Sequence, residues 1–327
     1  MNTRRKFLIG LAALYANLAH AQPAKPGAKP VRVGILSTVV SAGPQIGVKL
    51  FVATLGELGW VEGRNIIYDR VYAEGDEKRL PALAAELVAR RPDLIYVGTI
   101  PETFAALAAT RTIPVVCSGM NDPVEFGIVK SLARPGGNVT GVVTLGPETG
   151  SKRMQLLKEA VPKIGRVGVL MKPGLVSQTR ELKLIEQAAG AGVKVFPAMA
   201  NAPEELDAAF AFLAKNRVEG LILAQVAFFS RERKRILGFA AKQRIPVVAQ
   251  RPQLADDGAL MSYNAIFAEQ VRRAAHLADK VLRGTKPADI PVEQPTRFEL
   301  VVNMKTAKAL GLTIPPSIMV QATRVIE

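Results

Sequence analysis

From Val31 onward the chain alternates short apolar runs with helix-length amphipathic stretches, and it does so twice. "VRVGIL" reads as a buried strand, residues 45–58 as a helix, "IIYDRVYA" as a strand and 78–90 as a helix. "DLIYVG" follows as a strand, 102–110 as a helix and "IPVVCSG" as a strand. Most of these strands are near-continuous apolar runs, the pattern of a parallel sheet covered by helices on both faces. The order then restarts. "RVGIL" at Arg32 is echoed by "RVGVL" at Arg166, 134 residues on; "PDLIYVG" around Leu94 by "VEGLILA" around Leu221, 127 on; and "IPVVCSG" at Ile113 by "IPVVAQR" at Ile245, 132 on. Any one echo is within chance, because buried parallel strands look alike. Three in one order at nearly constant spacing predict an α/β protein of two doubly wound parallel-sheet lobes, and the period is far too long for a solenoid.

What precedes the first strand reads as an address. Arg4, Arg5 and Lys6 head a short apolar run that ends in Ala19-His20-Ala21, the three parts of a secretory signal peptide over residues 1–21. The run falls short of the roughly 20 residues a membrane-crossing helix needs. Thr3 to Leu8 also fits a twin-arginine export motif, which leaves the twin-arginine and general secretory routes both open. Residue 22 is Gln and not Cys, so the expectation is a periplasmic protein without a lipid anchor. Residues 22–30, "QPAKPGAKP", form a Pro-rich leader without core-forming side chains.

Several function classes drop out on composition. The 43 Lys and Arg, less the three in the signal peptide, stand against 28 Asp and Glu, a mature charge of +12. That charge is scattered and never interleaved with aromatics, so no nucleic-acid partner is expected. Cys117 is the single cysteine and rules out an intramolecular disulfide; it ends an apolar strand and reads as a small buried hydrophobe. His20 leaves with the signal peptide, and His276 sits in a helical stretch as a surface or packing residue, so a histidine-based metal or triad site has nothing to stand on. No G-x-G-x-x-G or G-x-x-x-x-G-K-[ST] follows a strand, which disfavours a dinucleotide or phosphate cofactor and the opposing reading of a secreted oxidoreductase. No cofactor and no metal are expected.

Two α/β lobes place their ligand site between them, beyond the carboxyl ends of the strands. In the first lobe those ends carry Ser37 and Thr38, then Thr99, then Asn121 and Asp122. Thr99 to Glu102 fits a capping box, and Asp122-Pro123 fits a helix cap followed by proline. In the second lobe the corresponding ends carry Ser177, Gln225 and, after "IPVVAQ", Arg251, whose planar fork suits a carboxylate. Phe228, with Phe229, is a candidate aromatic wall. Each polar residue reads equally as a plain cap or loop side chain, and each Phe as core; the set is stronger than its members.

The stretches "NDPVEFGIVKSLARPGGNVTGV" and "PTRFELVVNMKTAKALGLTIPPS" carry a resemblance. They resemble the ABC-transporter substrate-binding family that includes tryptophan- and tyrosine-binding members, and the likeness extends over Val31 to Glu327. It implies a type I periplasmic-binding fold: two lobes joined by three hinge strands, near Gly141–Gly146, Ser262–Asn264 and Pro291–Phe298. It divides the chain into a first lobe of 31–144 plus 265–290 and a second of 145–264 plus 291–327. It also implies a monomer that closes on a small ligand, such as an amino acid, and docks on an inner-membrane ABC permease, with no catalysis. A periplasmic sensor of the same fold is the alternative. For an amino-acid ligand the resemblance adds Tyr263 to the polar candidates already named.

Overall fold

The computed structural model describes residues 29–174, 176–224 and 226–327, without the side chains of Val176, Ser177 and Ala227. The expected signal peptide, and the expected leader as far as residue 28, lie outside the described residues. The first half of the alternation folds as β1 (Val31–Ser37), α1 (Ile46–Glu57), β2 (Ile66–Tyr72), α2 (Leu80–Ala89), β3 (Leu94–Val97), α3 (Ile100–Ala109), β4 (Val115–Met120) and β5 (Val139–Val143). The strands pair in the order β2-β1-β3-β4-β5, all parallel.

The second half gives α4 (Gly146–Ala160), β6 (Arg166–Met171), α5 (Val176–Ala189), β7 (Lys194–Met199), α6 (Leu206–Lys215) and β8 (Gly220–Leu223). It continues with α7 (Ala227–Arg231), α8 (Arg233–Lys242), β9 (Val247–Ala249), α9 (Pro252–Asp256) and β10 (Met261–Ala265). The chain then runs through α10 (Phe267–Leu282), β11 (Phe298–Asn303), α11 (Met304–Leu310), α12 (Pro316–Gln321) and β12 (Arg324–Ile326). The second sheet is ordered β12-β11-β10-β9-β8-β6-β7. It departs from the all-parallel expectation at one place, where β11 pairs antiparallel to β10. β11 enters from the other lobe and so runs the opposite way.

The echoed glycines have a packing cause. A Cβ on Gly34 in β1 would lie 2.8 Å from the Leu87 side chain of α2, and one on Gly168 in β6 would lie 2.5 Å from Leu213 of α6. At the same point of each lobe a leucine is pressed onto the strand, and only glycine leaves room for it. Buried apolar clusters line both faces of each sheet, the doubly wound arrangement expected from the apolar strand runs.

The chain passes between the sheets three times. β5 ends at Val143 in the first, and α4 packs on β8, β9 and β10 of the second. β10 ends at Ala265, and α10 returns to cover α1, β3, β4 and β5. Val271, Ala274, Ala275, Ala278 and Val281 form its buried stripe at helical spacing. The third passage comes later than the sequence division put it. Glu293 donates its N–H to the Gly141 carbonyl at 2.9 Å and accepts from Val143 N–H at 2.9 Å, so residues 291–293 stay on the first sheet. β5 is that sheet's edge, and these residues satisfy backbone groups that would otherwise lack partners. The crossings therefore fall at 144–145, 266 and 294–297. Among the described residues no helix is long and apolar enough to cross a membrane.

Candidate functional site

On the first lobe the strand ends are organised by Glu102, whose side chain is 1% exposed in the first turn of α3. One carboxylate oxygen accepts from Thr38 N–H at 2.6 Å and from the Thr38 hydroxyl at 2.8 Å. The other accepts from Gly98 N–H at 2.6 Å and Thr99 N–H at 3.0 Å. The expected capping box is therefore present, and the same carboxylate ties the loop after β1 to the loop after β3. Thr99 itself is exposed at this rim, and the Ser37 hydroxyl is buried, accepting weakly from Val39 N–H at 3.4 Å.

After β4 the expected helix does not form. Residues 121–127 make a run of turns, with Phe126 N–H bonded to the Asp122 carbonyl, and Gly127 in a left-handed conformation stops any propagation. Asp122 holds φ 42°, a left-handed conformation that aspartate tolerates better than most residues. Two oxygens here, Asn121 Oδ1 and Asp122 Oδ2, are buried and have no hydrogen-bond partner among the described residues.

On the second lobe the floor is built from amides. The β6 end is capped by Gln178 of α5, whose Oε1 accepts from Lys172 N–H at 2.6 Å while its Nε2 has no partner among the described residues. Gln250 follows β9 at 1% exposure, and neither its amide atoms nor the buried hydroxyl of Ser262 on the adjacent β10 has a partner among the described residues. Buried polar atoms of native proteins are paired in the great majority, so a row of exceptions along one end of one sheet marks a place where something else supplies the hydrogen bonds. Beside it stands Arg251, exposed to solvent and paired with no described carboxylate; the protein around it lowers its guanidinium pKa through desolvation. Tyr263 stacks on Phe298 at 5.6 Å between ring centroids, and burial raises its phenol pKa.

The two sets of strand ends face each other, because one side chain spans them. Arg180 of α5 donates to Asp122 Oδ1 of the first lobe at 2.8 Å and to Glu148 Oε1 of α4 at 2.7 Å. Burial raises the Asp122 pKa, Arg180 opposes the rise, and Glu125 and Glu148 add to it. A crevice of about 370 Å³ opens here between Asp122, Glu125, Thr144, Glu148, Arg180 and Gln294. A second hollow of about 590 Å³ lies along the exposed side of α10, between Arg272, His276 and the 294–297 crossing, and contains none of the candidate residues.

Of the ten residues singled out from sequence, Ser37, Thr38, Thr99, Asn121, Asp122 and Arg251 stand at or just beyond strand ends, as the strand reading expected, and Tyr263, which the resemblance added, lies within β10. Phe228 does not make a ligand wall: at 8% exposure it belongs to the buried core of the second lobe, its ring 4.4 Å from that of Phe229. The single turn of α7 that follows β8 seats both rings in that core. Gln225 and the Ser177 side chain lie outside the described residues. Sequence reasoning placed Gln250 with Arg251 at a strand end but did not take it as a ligand group, and it missed Gln178, Ser262, Arg180 and Glu148; Arg180, in the helical run "SQTRELKLIEQ", gives no local signal. Among the described residues no group of three or more His, Cys, Asp or Glu could hold a metal ion.

Two α/β lobes, three crossings and a polar cleft between facing strand ends define a two-lobed solute-binding protein. The family model described as ABC transporter substrate binding protein matches residues 32–326, and the chain belongs to that family. It is 27% identical over 296 residues to a tyrosine-binding protein of Clostridioides difficile (strain R20291), covering 87% of this chain and 82% of that one. Among solved structures it resembles an ABC domain in complex with L-Trp from Streptococcus pneumonia, with TM-score 0.81, 24% identity, and 91% of this chain and 100% of that one covered. It also resembles a ligand-free, open substrate-binding protein with adhesive properties from Clostridium difficile, with TM-score 0.72, 25% identity and coverage of 90% and 99%. These relatives are solute-binding proteins and not enzymes.

Proposed function

We propose that this chain is the periplasmic solute-binding component of an ABC importer, exported by its N-terminal signal peptide without a lipid anchor. As a monomer it closes two lobes on a small amino-acid-like ligand and presents the closed form to an inner-membrane permease. The observation that carries the reading is the row of buried groups on Gln178, Gln250 and Ser262 that have no partner among the described residues, in the lobe that Arg180 joins to Asp122. In that cleft Arg251 takes the ligand's carboxylate, Asn121 accepts from its ammonium, and Thr38, Thr99 and Tyr263 shape the rim.

The crossings at 144–145, 266 and 294–297 act as hinges. A ligand that touches both lobes only when they are together shifts the population toward the closed form by its differential affinity. Arg180 bridging to Asp122 fits a drawn-together arrangement, as does the higher TM-score with the tryptophan complex than with the open relative. That Trp complex and the tyrosine-binding relative favour an aromatic amino acid as ligand.

The test is the melting temperature of the chain from Gln22 against Trp, Tyr, Phe, other amino acids, sugars and small carboxylates. A ligand at about 100 times its dissociation constant adds about 2.7 kcal/mol of stability. A rise with aromatic amino acids, lost on Arg251→Gln, is the expected result. A rise confined to sugars would overturn the amino-acid assignment, and no rise with any solute would count against small-solute binding itself.

A further inference from the structure

The crevice beside the cleft is an acidic hollow in a strongly basic protein. Asp122 and Glu125 reach it from the first lobe and Glu148 from the second, against the single cation Arg180. Arg180 is half exposed and pairs with one oxygen of Asp122 and one of Glu148. The Asp122 side chain is only 10% exposed, and its second oxygen, Oδ2, has no hydrogen-bond partner among the described residues. Glu125 is exposed and pairs with no cation among the described residues. Among the described residues these carboxylates are not grouped as a metal-binding cluster.

We propose that this crevice takes the cationic end of a ligand, a primary ammonium or a guanidinium, with Arg180 as the protein's own stand-in for that group. The inference rests on the reading of the cleft as a small-solute site and names the chemistry of one part of the ligand: a positive charge beyond that of an α-amino acid, as in a diamine or a basic amino acid. The incoming ammonium displaces the guanidinium of Arg180 from Asp122, bonds the unpartnered Oδ2 and keeps the Glu148 contact. It thereby makes the same bridge between lobes that Arg180 makes now. The crevice volume of about 370 Å³ is within the range of small-ligand pockets.

The charge state of Asp122 sets the pH behaviour. The facing charges are Glu125 on the same turn, Glu148 on α4 and Arg180 on α5, and the net effect with burial is a carboxyl pKa raised above its ordinary value. Amine binding requires the ionised form, so it weakens as pH falls through that raised value and releases a proton when it occurs near it.

The experiment is calorimetric and thermal-shift titration of the chain from Gln22 with 1,4-diaminobutane and agmatine, with 1,4-butanediol as the neutral control. Expected are a rise in melting temperature with both amines and none with the diol, and an affinity that falls with added salt. Asp122→Asn should weaken the amines by roughly tenfold or more, the scale of a charged hydrogen bond. Arg180→Gln should tighten them, because the competing cation is gone. An equal rise with calcium chloride, an unchanged affinity in Asp122→Asn, or weaker binding in Arg180→Gln would each overturn the proposal. A rise with aromatic amino acids but none with amines would overturn this inference alone and leave the solute-binding reading standing. A rise with amines but none with aromatic amino acids would do the reverse to the assignment of the ligand.

Discussion

Arg153 and Glu181 are the sharpest test of how the second lobe is held to its crossings. Arg153 is fully buried in α4 and Glu181 is 3% exposed in α5, with Nη2 to Oε1 at 2.5 Å. The same guanidinium donates to the Thr149 hydroxyl at 3.3 Å and to the Tyr263 carbonyl at 3.2 Å, beside the second crossing. Burial lowers the Arg153 pKa and Glu181 opposes it. Replacing one member of a buried pair leaves the other charge without its counterion and costs about 3–5 kcal/mol, whereas replacing both by apolar residues is often neutral or stabilising. Arg153→Met should therefore lower the melting temperature by roughly 6–10 °C, taking about 2 °C per kcal/mol for a chain of this size. Arg153→Met with Glu181→Leu should recover most of it.

Urea unfolding of the single and double variants at pH 7.5, with ligand titration of each, measures the effect. A double variant no more stable than the single one, or a single-variant cost below about 1 kcal/mol at pH 7.5, would refute the account of a desolvated pair.

Gln250→Leu removes two buried amide atoms that have no partner among the described residues, so it should leave stability unchanged or raise it by about 1 kcal/mol while weakening ligand binding. Denaturant midpoints and calorimetry on the same sample check both halves, and a large loss of stability would mean the amide has a structural role. Gly34→Ala and Gly168→Ala each force a Cβ against a leucine and should each cost about 1–3 kcal/mol in urea unfolding. Cys117 is fully buried, and desolvation pushes its thiol up to about 12, so it should resist iodoacetamide at pH 8 until the protein is unfolded, as read by mass spectrometry.

How much the sequence discloses depends on how local the signal is. The strand runs and the two-fold echo were readable because burial on both faces writes itself into every residue of a strand; the return of the chain to the first lobe after residue 264 came only from the family resemblance. The capping box at Thr99 was readable because its two members are three residues apart. The antiparallel β11 and the placement of 291–293 on β5 were not, since an edge takes whichever segment reaches it and leaves no periodicity of its own. Phe228 misled because an aromatic after a strand has the same pattern whether its first helical turn faces the core or the cleft. The Arg180 and Arg153 pairs were invisible: their partners lie 58 and 28 residues away, and charged residues on a helix look solvated until the fold brings another charge to them.

One turn of α5 gathers these long-range contacts. Gln178 and Glu181 are three residues apart and so share a face, and both are buried in the second lobe. Gln178 caps the cleft-side end of β6, and Glu181 holds Arg153 against the carbonyl of Tyr263 near the second crossing. Arg180 leaves the helix on another face and reaches Asp122 of the opposite lobe. A ligand that changes the partner of Gln178 or of Asp122 therefore acts on the same rigid turn that is bonded to a crossing. The interior of the second lobe is close-packed, so that turn cannot absorb the change by deforming and must move with the lobe.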